Sequence, residues 1–260
     1  MNSTIDTIHA HRSIRAYTSD PISDELLESV LTAATMASTG GNRQTYSVIV
    51  TRDEQRKQAL WSLHQEQDMI LQAPVLLTFC ADWNRMTRWC LSRDAQPGHD
   101  NLLCFTAAVG DVFIAAQNAV LAAEAQGLGI CYMGTTLNAV DALIEFFGLP
   151  KGVFPVTSLV LGYPAEKPSH RKRLPLSAIV HNETYGEYTE EQIDAAYGER
   201  DHDGWQRHTS TPELAREIQS LGITNLAQVY TQLKHTKADN ERDAVALICA
   251  LRRQGFLPAE

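Results

Sequence analysis

The chain has 260 residues, 44% of them hydrophobic and 20% charged, with 22 Lys and Arg against 31 Asp and Glu for a formal charge of −9. That apolar fraction can build a core, and at this length roughly 70–75% of the unfolded surface can be buried in one or two domains. The acidic balance argues against nucleic acid or an anionic membrane as partner, since both need a basic face.

Residues 1–9 are polar and carry no basic stretch leading into an apolar one, so no signal peptide is expected. The cysteines (Cys80, Cys90, Cys104, Cys131 and Cys249) never fall in Cys-x-x-Cys spacing, so neither a disulfide framework nor a thiolate zinc site is expected. A reducing cytoplasm fits that pattern.

In chain order, Ser23 followed by Asp24 and Glu25 reads as an N-cap with acids in the first turn. Leu26, Leu27, Val30, Leu31 and Ala34 then share one face, predicting a helix over about 24–37. Residues 46–51 read as a strand, 52–64 as a helix and 74–81 (PVLLTFCA) as a buried strand. Residues 82–103, with Trp83, Trp89, Pro97 and Gly98, read as irregular. A long helix of small and apolar residues follows over about 106–126, the kind that sits in a core or an oligomer interface. Its apolar stretch 113–125 is interrupted by Gln117, Asn118 and Glu124 and reads as too short and polar to span a bilayer. Gly127 and Gly129 stop it, residues 130–133 read as a strand, a helix over 138–147 ends at Gly148 and Pro150, and 155–161 is another buried strand. Residues 164–177 are proline-rich and basic, 177–181 suggest a short strand, and the pattern from 190 on is helical and polar, with a polar loop around 198–212.

Helices and strands without a βαβ rhythm predict an α+β fold: a small antiparallel or mixed sheet packed by helices. The apolar periodicity of Leu226, Val229, Tyr230 and Leu233, and of Val245, Leu247, Ile248 and Leu251, sets residues 205–260 apart as a helical extension of a domain spanning 1–204, packed on its own subunit or on a partner.

Gly127, Gly129 and Gly134 invite a dinucleotide fingerprint, but they follow a helix and open a strand, the reverse of what a Rossmann turn requires. A helix C-cap accounts for Gly127 and can account for Gly129, leaving Gly134 for a close backbone approach. Four of the seven residues in Lys-Pro-Ser-His-Arg-Lys-Arg at 167–173 are cationic, and His11-Arg12-Ser13-Ile14-Arg15 is a second dense group. Each is read as a solvated surface or, more sharply, as an anion site built from forked guanidinium donors. The loop 37–44 (ASTGGNRQ) is an ordinary turn or a set of donors for a heterocycle. The sequence shows no Gly-x-Ser-x-Gly elbow, no His-Glu-x-x-His, no P-loop and no i, i+4 histidine pair for a metal. Such a chain either borrows a cofactor or performs no chemistry.

Taken together, HRSIR at 11–15, the Ser/Gly/Asn/Gln loop at 38–44, the helix 111–127 leading into GLGICYMG, and GYPAEKPxxRxRLP at 162–175 resemble the nitroreductase family. The similarity is to its larger, NADPH-preferring branch of oxygen-insensitive nitroreductases and flavin reductases, and runs in order over about 5–185. The resemblance implies an intertwined α+β homodimer with FMN, tightly but not covalently bound, at two sites shared by both chains. His11, Arg12, Ser13 and Arg15 would hold its phosphate and ribityl end, and Arg171 and Arg173 would complete the phosphate cage. Ser38 and Thr39 of the partner chain would reach the flavin, Gln67 would touch the isoalloxazine edge, and Tyr132, Met133 and Gly134 would lie along the ring. No side chain is expected to be catalytic: flavin N5 takes hydride from NADPH and passes it, ping-pong, to a nitroaromatic, a quinone or free flavin. Arg200 and Arg207 are candidates for the NADPH 2′-phosphate. The same cofactor residues would also serve a flavin reductase feeding a partner monooxygenase, a reductive dehalogenase, or a non-enzymatic flavin-binding protein.

Overall fold

In the computed structural model, which describes residues 4–259, one antiparallel sheet is formed by Tyr46–Thr51 (β1), Val75–Asp82 (β2), Gly129–Met133 (β3) and Val153–Gly162 (β4), in the order β1-β2-β4-β3. The central strands β2 and β4 are buried along their whole length, as continuous apolar runs should be. Their side chains alternate between two cores. Leu77, Phe79, Leu159 and Leu161 point to one face, while Leu76 and Val160 point to the other.

The first face is covered by the helices Asp24–Thr35 (α2, following α1 at Thr4–Ala10) and Leu102–Ala125 (α6). Ala108, Val112, Ala115, Ala116, Ala119, Val120 and Ala123 are fully buried, and their small side chains let α6 lie close on the sheet. The helix starts four residues before the expected position because the Asn101 side chain accepts from Cys104 N–H and caps it. At 24 residues it is long and apolar enough to cross a membrane, contrary to the reading of its 113–125 stretch alone, yet here its alanine face is core. The second face is covered by Glu54–Leu63 (α3), Met69–Gln72 (α4) and Val140–Phe147 (α7), which bring Leu60, Ile70 and Leu143 against Leu76 and Val160.

Three expected elements differ. Residues 82–103 are not wholly irregular, since Asn84–Leu91 forms a helix (α5). Residues 177–181 form no strand; a single 3-10 turn, Leu176–Ala178, stands there. Much of the polar loop placed at 198–212 lies within Glu190–Thr209 (α8), whose Thr189 and Gln192 make a reciprocal capping box.

The chain divides into two compact units, Met1–Ser169 with Asp243–Glu260, and His170–Arg242. The second holds α8, Pro212–Ser220 (α9) and Leu226–Gln228 (α10) around Ile218, Ile223, Leu226 and Val229. Residues 205–260 are shared between the two units, and Lys237–Arg253 (α11) runs across the boundary.

Candidate functional site

In the larger unit, residues 11–17 lie along the start of β3 and the exit of β4. Ile14 N–H donates to Ile130 O at 2.8 Å, Thr18 N–H to Tyr163 O at 2.9 Å, and Ala165 N–H to Ala16 O at 2.9 Å. The Glu166 carboxylate accepts from the backbone N–H groups of both Arg15 and Ala16. Gly129 is explained by this docking and not by a helix cap: a Cβ there would stand 2.7 Å from Ile14 Cγ1. Gly127, at φ +84°, is the residue that ends α6. Arg12 is half-buried and Arg15 exposed. Arg12 and Ile14 line a cavity of about 220 Å³ together with Glu124, Gly129 and Pro164. His11 is tied to the far end of α6, its Nδ1 lying 2.7 Å from Glu124 Oε1.

The loop 38–44 is anchored midway along the same helix. Asp111 accepts from Gly40 N–H (3.2 Å), Thr45 N–H (3.2 Å) and the Thr45 hydroxyl (2.8 Å). Thr39 Oγ1 accepts from Gln44 N–H at 3.0 Å, and Ser38 is exposed. Asp111 was not singled out from the sequence, although an acid among alanines on an apolar helix is a visible signal. Asp111 and Glu124 are 13 residues apart, about 20 Å along an α-helix. Within one chain, therefore, the 38–44 loop hangs from the middle of α6 and the 11–15 segment from its C-terminal end.

At the end of β3, Tyr132 is half-buried, and the Met133 side chain is buried in the core with Leu143 and Val160. Only the backbone of Met133 is therefore left to meet a ligand. Gly134 is exposed, and a Cβ built on it would meet nothing within 4 Å, so this stretch offers main chain beside open space. Next to it Gln67 Nε2 donates to His64 O (3.1 Å) and to Thr135 Oγ1 (3.2 Å), and His64 Nδ1 lies 2.8 Å from that hydroxyl. His64 is fully buried, and burial pushes its imidazole down to about 4. Neither His64 nor Thr135 was expected at the site, because 71 residues separate them in sequence.

The remaining expected cations belong to the smaller unit. Arg171 and Arg173 are exposed in a segment without helix or strand, and Lys172 Nζ between them pairs with Glu199 at 2.9 Å. On α8 the Arg200 guanidinium lies over the rings of Tyr197 (5.3 Å) and Tyr230 (5.4 Å), while Arg207, two turns on, is exposed.

The signature of the nitroreductase family matches residues 8–163. Over 192 residues the chain is 37% identical to an FMN reductase (NAD(P)H) of Bacillus subtilis strain 168, covering 71% of this chain and 75% of that protein. It is 36% identical over 200 residues to an oxygen-insensitive NADPH nitroreductase of Salmonella typhimurium, covering 77% and 81%. The solved NADPH:FMN oxidoreductase of Vibrio harveyi, complexed with NAD+, has the same fold at a TM-score of 0.76 and 26% identity, over 98% of this chain and 99% of that one. The motifs of 11–15 and 127–134, docked on one another in the fold, thus belong to a member of the nitroreductase family.

Proposed function

We propose that this chain is an FMN-dependent NAD(P)H oxidoreductase that works as a homodimer and passes electrons to small acceptors such as nitroaromatics, quinones or free flavin. The observation that carries the reading is the docking of His11–Arg15 on the start of β3, which sets Arg12 in a cavity with Gly127 and Gly129, where the strand that leads to the exposed Gly134 begins. The names of the relatives, FMN reductase and NADPH nitroreductase, support the choice of cofactor and donor.

The residues fit FMN. His11, Arg12, Ser13 and Arg15 would hold its phosphate and ribityl chain, because a phosphate leaving water needs charge-assisted donors; Arg171 and Arg173 are assigned to the phosphate on the family resemblance alone. The open space at Gly134 admits a flat ring against main chain, and Gln67 offers an amide at the ring's edge. When bound, FMN supplies the chemistry, taking hydride from the nicotinamide and passing two electrons on. The chain's own part is to bind, orient and donate hydrogen bonds. Ser38 and Thr39 are assigned to the partner chain on the family resemblance; in their own subunit their loop is tied to Asp111, about 20 Å along α6 from the Glu124 that holds His11. Arg200 and Arg207 are the cations we assign to the 2′-phosphate of NADPH. A reducing cytoplasm suits the five cysteines, all of them free.

Anaerobic addition of NADPH to the purified yellow protein tests this reading. The flavin absorbance is expected to bleach and to return when a nitroaromatic or a quinone is added. A colourless protein that cannot be reconstituted with FMN, or a yellow one that NADPH fails to bleach, overturns it.

A further inference from the structure

His64, Gln67 and Thr135 form a hydrogen-bonded cluster whose polarity follows from its own atoms. His64 Nε2 is buried and has no partner among the described residues. An orphaned buried N–H is rarer and costlier than an orphaned buried lone pair, so the ring proton belongs on Nδ1 and is donated to Thr135 Oγ1 at 2.8 Å. Because burial pushes the imidazole down to about 4, the ring carries this single proton at neutral pH. Gln67 faces His64 O, which can only accept, so its NH2 end must stand there. The same NH2 group also donates to Thr135 Oγ1, at 3.2 Å.

Two consequences follow. A hydroxyl oxygen has two lone pairs, and those of Thr135 are taken by the His64 Nδ1–H and the Gln67 Nε2–H. Thr135 can therefore only donate. With its nitrogen engaged twice, Gln67 turns out a carbonyl oxygen that takes no hydrogen bond among the described residues and can only accept. A fixed donor beside a fixed acceptor, next to the exposed backbone of Gly134, complements an imide edge, C=O beside N–H, which a flavin presents at N3–H with its flanking carbonyl.

We propose that Thr135 and Gln67 read the N3–H imide edge of the bound flavin as a donor–acceptor pair, and that His64 is the positioning residue that fixes the direction of the Thr135 hydroxyl. The proposal rests on the FMN reading and adds to it a residue, His64, that touches no ligand.

FMN affinity measured by fluorescence titration tests it in the wild-type protein and in T135V, T135S, H64F and the double variant H64F/T135V. T135V is expected to bind FMN about tenfold more weakly and H64F about threefold, while T135S, which keeps the hydroxyl, binds as wild type. If His64 acts through Thr135, the double variant binds no worse than T135V alone; a merely structural His64 would multiply the two losses. Wild-type affinity in T135V, or a multiplicative loss in the double variant, overturns the proposal while leaving the FMN reading intact. Wild-type protein that takes up no FMN overturns both. Where a variant folds poorly, the wild type alone decides: N3-methyl-FMN is expected to bind about tenfold more weakly than FMN, and equal affinities overturn the pairing.

Discussion

Burial of the His64 imidazole has a thermodynamic consequence that belongs to that residue. Its folded value of about 4 lies below the ordinary 6.5, so as pH falls the unfolded chain takes up the proton first. The stability contributed by the neutral ring is complete above about pH 6.5 and is lost as pH falls toward 4, up to about 3 kcal/mol in all. Urea denaturation at pH 7 and pH 4.5 should show the wild type losing about 2–3 kcal/mol more than H64F over that interval. Equal losses would mean that the ring is hydrated in solution. The sequence carries no sign of this group. A lone His between Leu63 and Gln65 looks like any surface residue at a helix end, and its partner hydroxyl arrives from the far side of β3. The clusters around Arg12, Arg15, Arg171 and Arg173 stand out as candidates for the opposite reason: short, local, charged spacing survives in one dimension.

At the scale of elements, the connection between α3 and α4 stores strain. Gln65 and Glu66 stand at φ +58° and +55°, two successive non-glycine residues in the left-handed region, each costing about 1 kcal/mol. The turn they make brings Gln67 back over His64 O and so aims its amide. Glycine adopts this conformation without the Cβ penalty, although it gives up some unfolded-state entropy. The Q65G/E66G variant should therefore be more stable by about 1 kcal/mol, a rise of about 2–4 °C in Tm by differential scanning fluorimetry. A lower Tm would show that Gln65 or Glu66 makes contacts worth more than the strain. Elements with one dominant signal were legible beforehand. β1 emerged with the expected bounds, and β2 and β4 within two residues, because β-branched and apolar runs bounded by turns have few alternatives. The helix α5 was hidden because it is only eight residues long and fully buries none of them: Met86, Trp89 and Cys90 do share a face, but two turns set no sustained period.

For the whole molecule, the issue is what covers the outer side of α6. Its alanines face the sheet, yet Phe113 is 44% and Ile114 47% exposed midway along it, and Leu103 is 79% exposed near its start. Apolar side chains clustered on one outward helix face mark an interaction surface. In the homodimer proposed above, a second copy supplies Ser38 and Thr39, whose loop is tied to Asp111, about 20 Å along α6 from the Glu124 that holds His11. Sequence periodicity showed that this helix was too apolar for a surface, but not which face was left over, because a stripe of alanines and a stripe of larger residues read alike until the sheet is in place. F113E/I114E puts two charges on the outer face and leaves the alanine core alone. In analytical ultracentrifugation the wild type should sediment at twice the chain mass and the variant at the chain mass. If the flavin sites are shared, the monomeric variant should also bind FMN at least tenfold more weakly while keeping its far-UV circular dichroism. A folded monomer that holds FMN with wild-type affinity would show that one chain completes the cradle by itself, and Ser38 and Thr39 would then have to be removed from the site.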